Sequence, residues 1–257
     1  MDVRLLAQLA VPFWLLVAIG IALGARVAIQ RGNELDLPRS ALRSLMTAVL
    51  VGGFAAARLL YLVAERPSER PIRWLDIIAP AGRLSSVGGF VGAVVMLRWW
   101  THRRRLPIAP YADALAAGFP LGWLFGRLGC FIAHDHPGRL THFFLGVHYP
   151  DGVRHDLGLD EALYAATLAL VFRLLRRRSR PVGTYTTILI VTYAPMRFAL
   201  DFLRTTDRRY FGLTIAQSGC FLLWAVAMYI ATATLLATTE TQSPARLPDE
   251  AQRRQQS

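Results

Sequence analysis

The run LLAQLAVPFWLLVAIGIALGA, residues 5–25, contains no charged side chain. A helix needs about 20 predominantly apolar residues to cross the hydrocarbon core of a bilayer, and this run supplies them. The uncharged run 211–237 is longer still. Because residues 5–25 exceed the roughly 7–15 apolar residues of a signal-peptide core, we interpret them as a retained membrane helix.

The composition of the whole chain agrees with these runs. Hydrophobic residues make up 54% of its 257 residues, and charged residues make up 18%, against about 25% in an ordinary globular domain. The two cysteines, Cys130 and Cys220, lie in apolar segments and form no CxxC motif. The composition therefore excludes a soluble enzyme, a disordered chain and a disulfide scaffold, and it predicts an all-α polytopic membrane protein.

About seven transmembrane helices are expected along the chain, of which the third and the fifth are short enough to be re-entrant or tilted. We expect residues 1–239 to form one transmembrane domain and the polar residues 240–257 to form a disordered tail. The expected spans cover residues 5–25, 44–64, 84–100, 114–133, 159–175, 182–203 and 211–237.

The charges predict how the chain is oriented. The formal net charge is +12, the sequence has no lysine, and the arginines concentrate on alternate connections. Because cytoplasmic loops carry the excess of basic residues, we place those connections and the C-terminus in the cytoplasm, and the N-terminus in the periplasm. This also explains the basic excess without a nucleic-acid partner. The connections in question follow spans one, three and five, at residues 26–43, 98–105 and 173–180.

Span six carries charges that do not belong in lipid. At about 100° per residue, its polar residues share one helix face, and an arginine near the bilayer centre costs about 2.5–3.5 kcal/mol. This face is therefore expected to line a polar cavity, although an i,i+4 Arg–Asp pair that only locks the helices together remains an alternative. The residues are Tyr193, Arg197, Asp201 and Arg204.

Span four ends in Gly126-Arg127-Leu128-Gly129-Cys130-Phe131. Arg127 either snorkels to the outer interface or binds a phosphate with its two-pronged guanidinium group. The following His134-x-His136 with Asp135 superficially suggests a metal site. Since no further ligands follow at a fixed spacing, we expect neither a metal nor a cofactor.

Two other segments carry polar or small residues at helix starts. Glu161 near the start of span five suits a helix N-terminus through the helix dipole. Gly88 and Gly89 at the start of span three suit close helix packing. Together with the arginine-bearing helices, these features favour a site for an anionic lipid headgroup.

These motifs together resemble the prolipoprotein diacylglyceryl transferase family. The block 126–131 is similar to the family's Gly-Arg-x-Gly-Asn-Phe signature, and residues 193–204 resemble its Tyr-x-x-x-Arg-Phe-x-x-Glu-x-x-Arg helix. The segment 155–161 resembles its His-Pro-x-Gln-Leu-Tyr-Glu segment. Gly88-Gly89 matches its double glycine, and Arg58 lies in a match to its Gly-Ala-Arg-Leu.

The chain departs from the family pattern at several positions. Val87 stands where the family has a histidine before the double glycine, and Cys130 stands where the signature has asparagine. Asp201 replaces a glutamate, Asp160 replaces a tyrosine, and the acidic residue after the signature is Asp135. The resemblance therefore points to a divergent branch.

The resemblance implies an enzyme of the bacterial inner membrane that moves a diacylglyceryl group from phosphatidylglycerol to the lipobox cysteine of a prolipoprotein. Its implied partners are phosphatidylglycerol, prolipoprotein signal peptides and the bilayer. A paralogue with a changed donor or acceptor, a non-catalytic lipid-binding protein and a transporter remain alternatives. His134, His136 and Glu161 are further candidates for the proton acceptor that Val87 cannot supply. The implied catalytic residues are Arg127, Arg197, Tyr193, Asp201 and His155, and the implied phospholipid-binding residues are Arg127, Gly88, Gly89, Arg58, Glu161, Asp135 and Arg204.

Overall fold

The computed structural model of the protein describes residues 3–65, 84–205, 209–221 and 223–225, with side chains from residue 12 onward except that of Glu65. These residues are mostly helical. Helix α2 continues into a π-helical turn, Tyr61–Glu65, and a further helix, α7, begins at Ile215. The other helices are α1 (Val3–Glu34), α2 (Arg39–Leu60), α3 (Ser86–Arg103), α4 (Ile108–Ala133), α5 (Leu157–Leu175) and α6 (Thr184–Asp201).

The helices fall where the sequence predicts membrane spans. Three stretches of the described chain are long and apolar enough to cross a bilayer: Pro12–Glu34, Arg39–Ala64 and Ile108–Ala133. Helices α3, α5 and α6 have 18, 19 and 18 residues and occupy the positions of spans three, five and six. The greater part of span seven and the predicted tail 240–257 lie outside the described residues.

A small antiparallel sheet, absent from the all-α prediction, occupies much of the connection 134–158. Its strands are β1 (Pro137–Leu140), β2 (Val147–Tyr149) and β3 (Gly152–Asp156), in the order β1-β3-β2. A second hairpin pairs β4 (Arg209–Tyr210) with β5 (Leu213–Thr214). A bridge between Gly138 and Arg204 ties the sheet to the end of α6. The sheet therefore covers the end of the bundle where α4 and α6 finish and α5 begins.

Small residues let α1 and α4 pack at close range. A Cβ atom on Gly118 would lie 2.2 Å from the carbonyl oxygen of Gly24, which is far inside van der Waals contact. Gly20 and Gly122 form the next step of the same contact, one helical turn along each helix. This pair of small-xxx-small motifs sets the spacing of the two helices.

Helices α2 and α3 meet through a similar contact. A Cβ atom on Gly88 would lie 2.6 Å from the carbonyl oxygen of Ala56, and one on Gly92 would lie 2.6 Å from that of Gly52. Ser85 caps α3, because its hydroxyl accepts a hydrogen bond from the backbone N–H of Gly88 at 3.1 Å. The glycine-rich start of α3 is therefore a helix-packing surface.

At the end of the bundle away from the sheet, a buried ion pair joins three helices. Arg31 of α1 lies 2.8 Å from Asp113 of α4, and both side chains are buried. The other oxygen of Asp113 accepts hydrogen bonds from the backbone N–H groups of Tyr185 and Thr186 at 2.8 and 3.1 Å. One carboxylate thus holds α1 and caps the start of α6.

Candidate functional site

A buried carboxylate, Glu161, lies at the centre of the polar site. Glu161 is in the second turn of α5 and is 0% exposed. Its Oε2 lies 2.8 Å from Nε of Arg127 on α4, and its Oε1 lies 2.6 Å from Nη1 of Arg197 on α6. The carboxylate therefore holds together the two arginines that the family resemblance implies as catalytic residues.

A second carboxylate, Asp201, extends the cluster along α6. Its Oδ1 lies 3.0 Å from Nη2 of Arg197 and 3.1 Å from Nε of Arg204. The hydroxyl of Thr214 donates a hydrogen bond to its Oδ2. Thr214 is also the N-cap of α7 and exchanges hydrogen bonds with Gln217 at 3.0 and 3.1 Å, which forms a capping box. The cluster therefore fixes the start of α7 against the end of α6.

The charges of the cluster favour an anionic ligand. Among the described residues, three guanidinium groups meet two carboxylates, and Arg127 and Arg197 are only 5% and 4% exposed. A phosphate diester carries one negative charge and accepts paired hydrogen bonds from guanidinium groups.

Aromatic side chains line one side of the cluster. The Arg127 guanidinium lies over the Trp123 ring, 4.4 Å from its centroid. Tyr193 packs among the rings of Phe90, Phe119 and Trp123, with centroid distances of 5.0–6.1 Å. Arg127 is thus held by Glu161 at one edge and by Trp123 on one face. These contacts favour a guanidinium group that is fixed in place to bind a phosphate over one that snorkels to the interface.

The described contacts of His155 are with residues outside the arginine cluster. Its ring stacks on Phe143 at 5.7 Å between centroids, and its Nδ1 lies 3.7 Å from Asp160. His134 is engaged elsewhere too, with Nδ1 3.0 Å from Asp156.

Asp156 is a structural centre of the sheet. Its side chain caps α5 by accepting a hydrogen bond from the backbone N–H of Leu159 at 3.1 Å. It also accepts one from the Tyr149 hydroxyl at 2.7 Å. Burial and this bond to a carboxylate raise the pKa of the Tyr149 phenol. Tyr149 is therefore a hydrogen-bond donor at neutral pH.

The remaining predicted site residues lie on α2, α3 and the turn after α4. Arg58 lies near the end of α2, with its guanidinium 6.0 Å from the Tyr61 ring centroid. Gly88 packs on α2, whereas a Cβ atom on Gly89 would meet its nearest neighbour at an ordinary 3.7 Å. Asp135 pairs with His136.

The structure brings together most of the residues predicted from the two arginine-bearing spans. Trp123 and Thr214 were missed. The spacing Thr214-x-x-Gln217 before an apolar run is a capping-box signal that could have located Thr214, whereas a tryptophan within an apolar helix carries no comparable signal. The residues brought together are Arg127, Glu161, Tyr193, Arg197, Asp201 and Arg204.

A largely helical chain with three stretches long and apolar enough to cross a bilayer, and with a buried arginine–carboxylate cluster beside a small sheet, belongs to the class of integral membrane proteins. The sequence profile of the prolipoprotein diacylglyceryl transferase family matches residues 6–233. The chain therefore belongs to this family, which is a family of transferases.

Individual relatives agree with the family match, and each carries the name phosphatidylglycerol–prolipoprotein diacylglyceryl transferase. The protein from Wolbachia pipientis is 29% identical over 187 residues, which are 68% of this chain and 71% of the relative. That from Cereibacter sphaeroides is 31% identical over 188 residues, 66% and 64% of the two chains. That from Bacillus cytotoxicus is 26% identical over 221 residues, 80% and 81% of the two chains.

Proposed function

We propose that this protein transfers a diacylglyceryl group from phosphatidylglycerol to the lipobox cysteine thiol of an exported prolipoprotein. The observation that carries the proposal is the buried cluster in which Glu161 fixes Arg127 and Arg197. Guanidinium groups held in place by the protein suit the phosphate of the donor lipid. Family membership supplies the substrate class.

The reaction is a displacement at the glycerol carbon that carries the phosphate. The acceptor thiol loses its proton, its sulfur attacks that carbon, and the carbon–oxygen bond to the phosphate breaks. A thioether forms, and glycerol phosphate leaves with the electron pair of the broken bond. Negative charge therefore grows on the phosphate oxygen in the transition state, where fixed cations stabilise it.

The contacts assign different roles to the residues of the cluster. Nε of Arg127 lies 2.8 Å from Glu161 and its Nη1 contacts the Cys130 sulfur, and we assign the remaining N–H groups of Nη1 and Nη2 to the donor phosphate. Both oxygens of Glu161 meet guanidinium groups, so we assign Glu161 to positioning them rather than to proton transfer. Asp201 positions Arg197 and Arg204 in the same way.

The proposal includes the bacterial inner membrane as the location. It also includes seven spans, with the N-terminus in the periplasm and the C-terminal tail, residues 240–257, in the cytoplasm. The positive-inside distribution of arginine supports this orientation. The sheet of β1–β3 then faces the periplasm, the side on which the exported lipobox cysteine becomes available.

Val87 favours one other function, that of a phospholipid-binding paralogue without transfer activity. Its Cγ1 lies 3.7 Å from the Cβ position of Gly219, and its apolar side chain cannot take a proton. A protein of this kind would keep the arginine cluster and bind phosphatidylglycerol without consuming it.

The test is a transfer assay with purified protein in vesicles that contain phosphatidylglycerol and a lipobox peptide. We expect a peptide whose mass increases by one diacylglyceryl group, together with release of glycerol phosphate. Donor binding without either product would support the paralogue and contradict the transferase. A peptide with serine in place of the lipobox cysteine is the matched control.

A further inference from the structure

Three chemically reactive side chains meet just outside the arginine cluster, where α4 ends. His134, the residue after the last helical turn, adopts a left-handed backbone conformation with φ of 48°. The turn carries Asp135 and His136 back toward Cys130 in the last turn of α4. The sulfur of Cys130, a carboxylate oxygen of Asp135 and a ring nitrogen of His136 all lie within 4.8 Å of one another.

These three groups are ligands that zinc prefers. A catalytic zinc site has three protein ligands drawn from Cys, His and Asp or Glu, and a fourth position that stays open. With metal–ligand bonds of about 2.0–2.3 Å, neighbouring ligand atoms in a tetrahedron are about 3.5 Å apart. Side-chain rotations that close the triad by about one ångström would therefore enclose a metal ion.

The sequence analysis considered His134, Asp135 and His136 as metal ligands and lacked a further one. In the structure, Nδ1 of His134 lies 3.0 Å from Asp156. Cys130, four residues before His134, lies beside Asp135 and His136 instead. His136 Nδ1 contacts Oδ1 of Asp135, and a metal ion would replace this contact with a bond to each of the two residues.

The charges of the site are compatible with a divalent cation. A thiolate at Cys130 and the carboxylate of Asp135 together neutralise Zn²⁺. Arg127, which a bare cation would repel, has its charge partly offset by Glu161 at 2.8 Å, and its Nη1 lies 3.9 Å from the Cys130 sulfur. A hydrogen bond of this kind to a ligand sulfur is typical of groups that surround a metal site.

We propose that Cys130, Asp135 and His136 bind Zn²⁺, and that the open fourth position binds the thiol of the acceptor cysteine as a thiolate. The second half of this proposal rests on the proposed function. A thiol that coordinates zinc loses its proton without a neighbouring base. The site would therefore replace the proton acceptor that the family's histidine suggests and that Val87 cannot provide.

The step is balanced without any redox partner. The acceptor thiol binds Zn²⁺ and releases its proton to water at the outer surface. The sulfur then uses its electron pair to form a bond to the glycerol carbon, while the carbon–oxygen bond breaks and glycerol phosphate leaves as an anion beside Arg127. The neutral thioether is a weaker ligand than the thiolate, so the product leaves the metal.

The position of the site fits this role. Arg127 contacts Cys130, so a metal-bound thiolate and a donor phosphate on Arg127 would both lie next to one guanidinium group. The side chains of Asp135 and His136 are 41% and 27% exposed, which leaves the site accessible from the surface. A nucleophile held next to the group that binds the leaving group is the arrangement that a displacement requires.

Metal content tests the site independently of activity. We expect the protein purified from zinc-containing medium to retain one zinc per chain, and its cobalt-substituted form to show a sulfur-to-cobalt charge-transfer band. Cys130→Asn, which introduces the asparagine of the family signature, and His136→Gln should each lose both signals. Cys220→Ser, at the other cysteine of the chain, should keep them. Gel filtration and thermal unfolding would show that each variant is folded.

Two results would overturn the metal site. The first is a folded, unaltered protein without zinc. The second is a Cys130→Asn variant that retains as much zinc as the unaltered protein.

Transfer measurements separate this inference from the proposed function. We expect a chelator to reduce transfer at least about tenfold and added Zn²⁺ to restore it. Transfer that persists in a zinc-free protein would contradict the zinc role and leave the proposed function standing. A protein that binds zinc through Cys130 but never modifies the lipobox peptide would contradict the proposed function and leave the metal site standing.

Discussion

Arg127 is held on three sides, by Glu161 at 2.8 Å, by the face of Trp123 at 4.4 Å and by Cys130 at 3.9 Å. A flexible cation needs none of these contacts to reach the interface. The planar guanidinium group has five N–H donors, so it can contact Glu161 and Cys130 and still donate to a ligand. The planar shape of the Arg127 side chain should therefore be as important for phosphate binding as its charge.

Replacement of Arg127 by lysine tests this point. Arg127→Lys keeps the charge but loses the fork, so a paired phosphate contact becomes a single one. We expect a folded protein whose transfer rate falls about 10²–10³-fold, the usual cost of removing one fixed donor from a transition state. The rate is measured with phosphatidylglycerol vesicles and a lipobox peptide.

The matched control for this variant is Arg139→Lys. Arg139 is exposed on β1, and lysine there should leave transfer near normal. Equal rates for the two variants would mean that Arg127 is only an interface anchor.

The site residues that could be predicted from the sequence are those that place a charge inside an apolar helix. Arginine and aspartate inside apolar helices stand out, so Arg127, Arg197 and Asp201 were identified together. Val87 and Cys130 were identified only as departures from a family pattern. The convergence of Cys130 with His136 could not be predicted, because it depends on the left-handed turn at His134.

At the level of elements, the contact between α1 and α4 depends on backbone approaching backbone. Gly118 faces the carbonyl of Gly24, so even one methyl group has no room. Gly122 lies on the same face of α4 one turn later, yet a Cβ atom there would be 3.6 Å from the nearest atom. Gly122 therefore has room for an alanine side chain, whereas Gly118 does not.

We expect Gly118→Ala to destabilise the protein by about 1–3 kcal/mol, since overpacking forces the two helices apart. Gly122→Ala should be neutral or slightly stabilising, because alanine is the better helix former. Thermal unfolding in one detergent would measure both variants. Equal midpoints would contradict the close contact of α1 with α4.

Helices were far easier to predict than strands in this chain. The spans are marked by uncharged runs, whereas strands β1–β3 are only three to five residues long and show no sustained alternation. The helix ends were less well predicted: α1 continues to Glu34, beyond the expected end at residue 25, because Arg31 finds a buried partner in Asp113.

For the whole molecule, the arginine distribution predicts that the sheet faces outward. In a protein with both native cysteines replaced, His148→Cys on the sheet should react with a membrane-impermeant maleimide in intact spheroplasts. Arg177→Cys, in the arginine-rich connection after α5, should react only after lysis. The opposite pattern would invert the proposed orientation and remove the sheet from the side of the exported substrates.

The carboxylate of Asp113 also has a consequence for the order in which the protein is built. Arg31 is synthesised 82 residues before its partner, so it stays solvated at the membrane surface until α4 is made. The backbone groups that occupy the other oxygen of Asp113 follow 72 residues later still, at Tyr185. Nascent chains that stop short of α6 therefore carry a half-satisfied buried acid. We expect quality-control proteases of the membrane to degrade such chains faster than those that have passed Thr186.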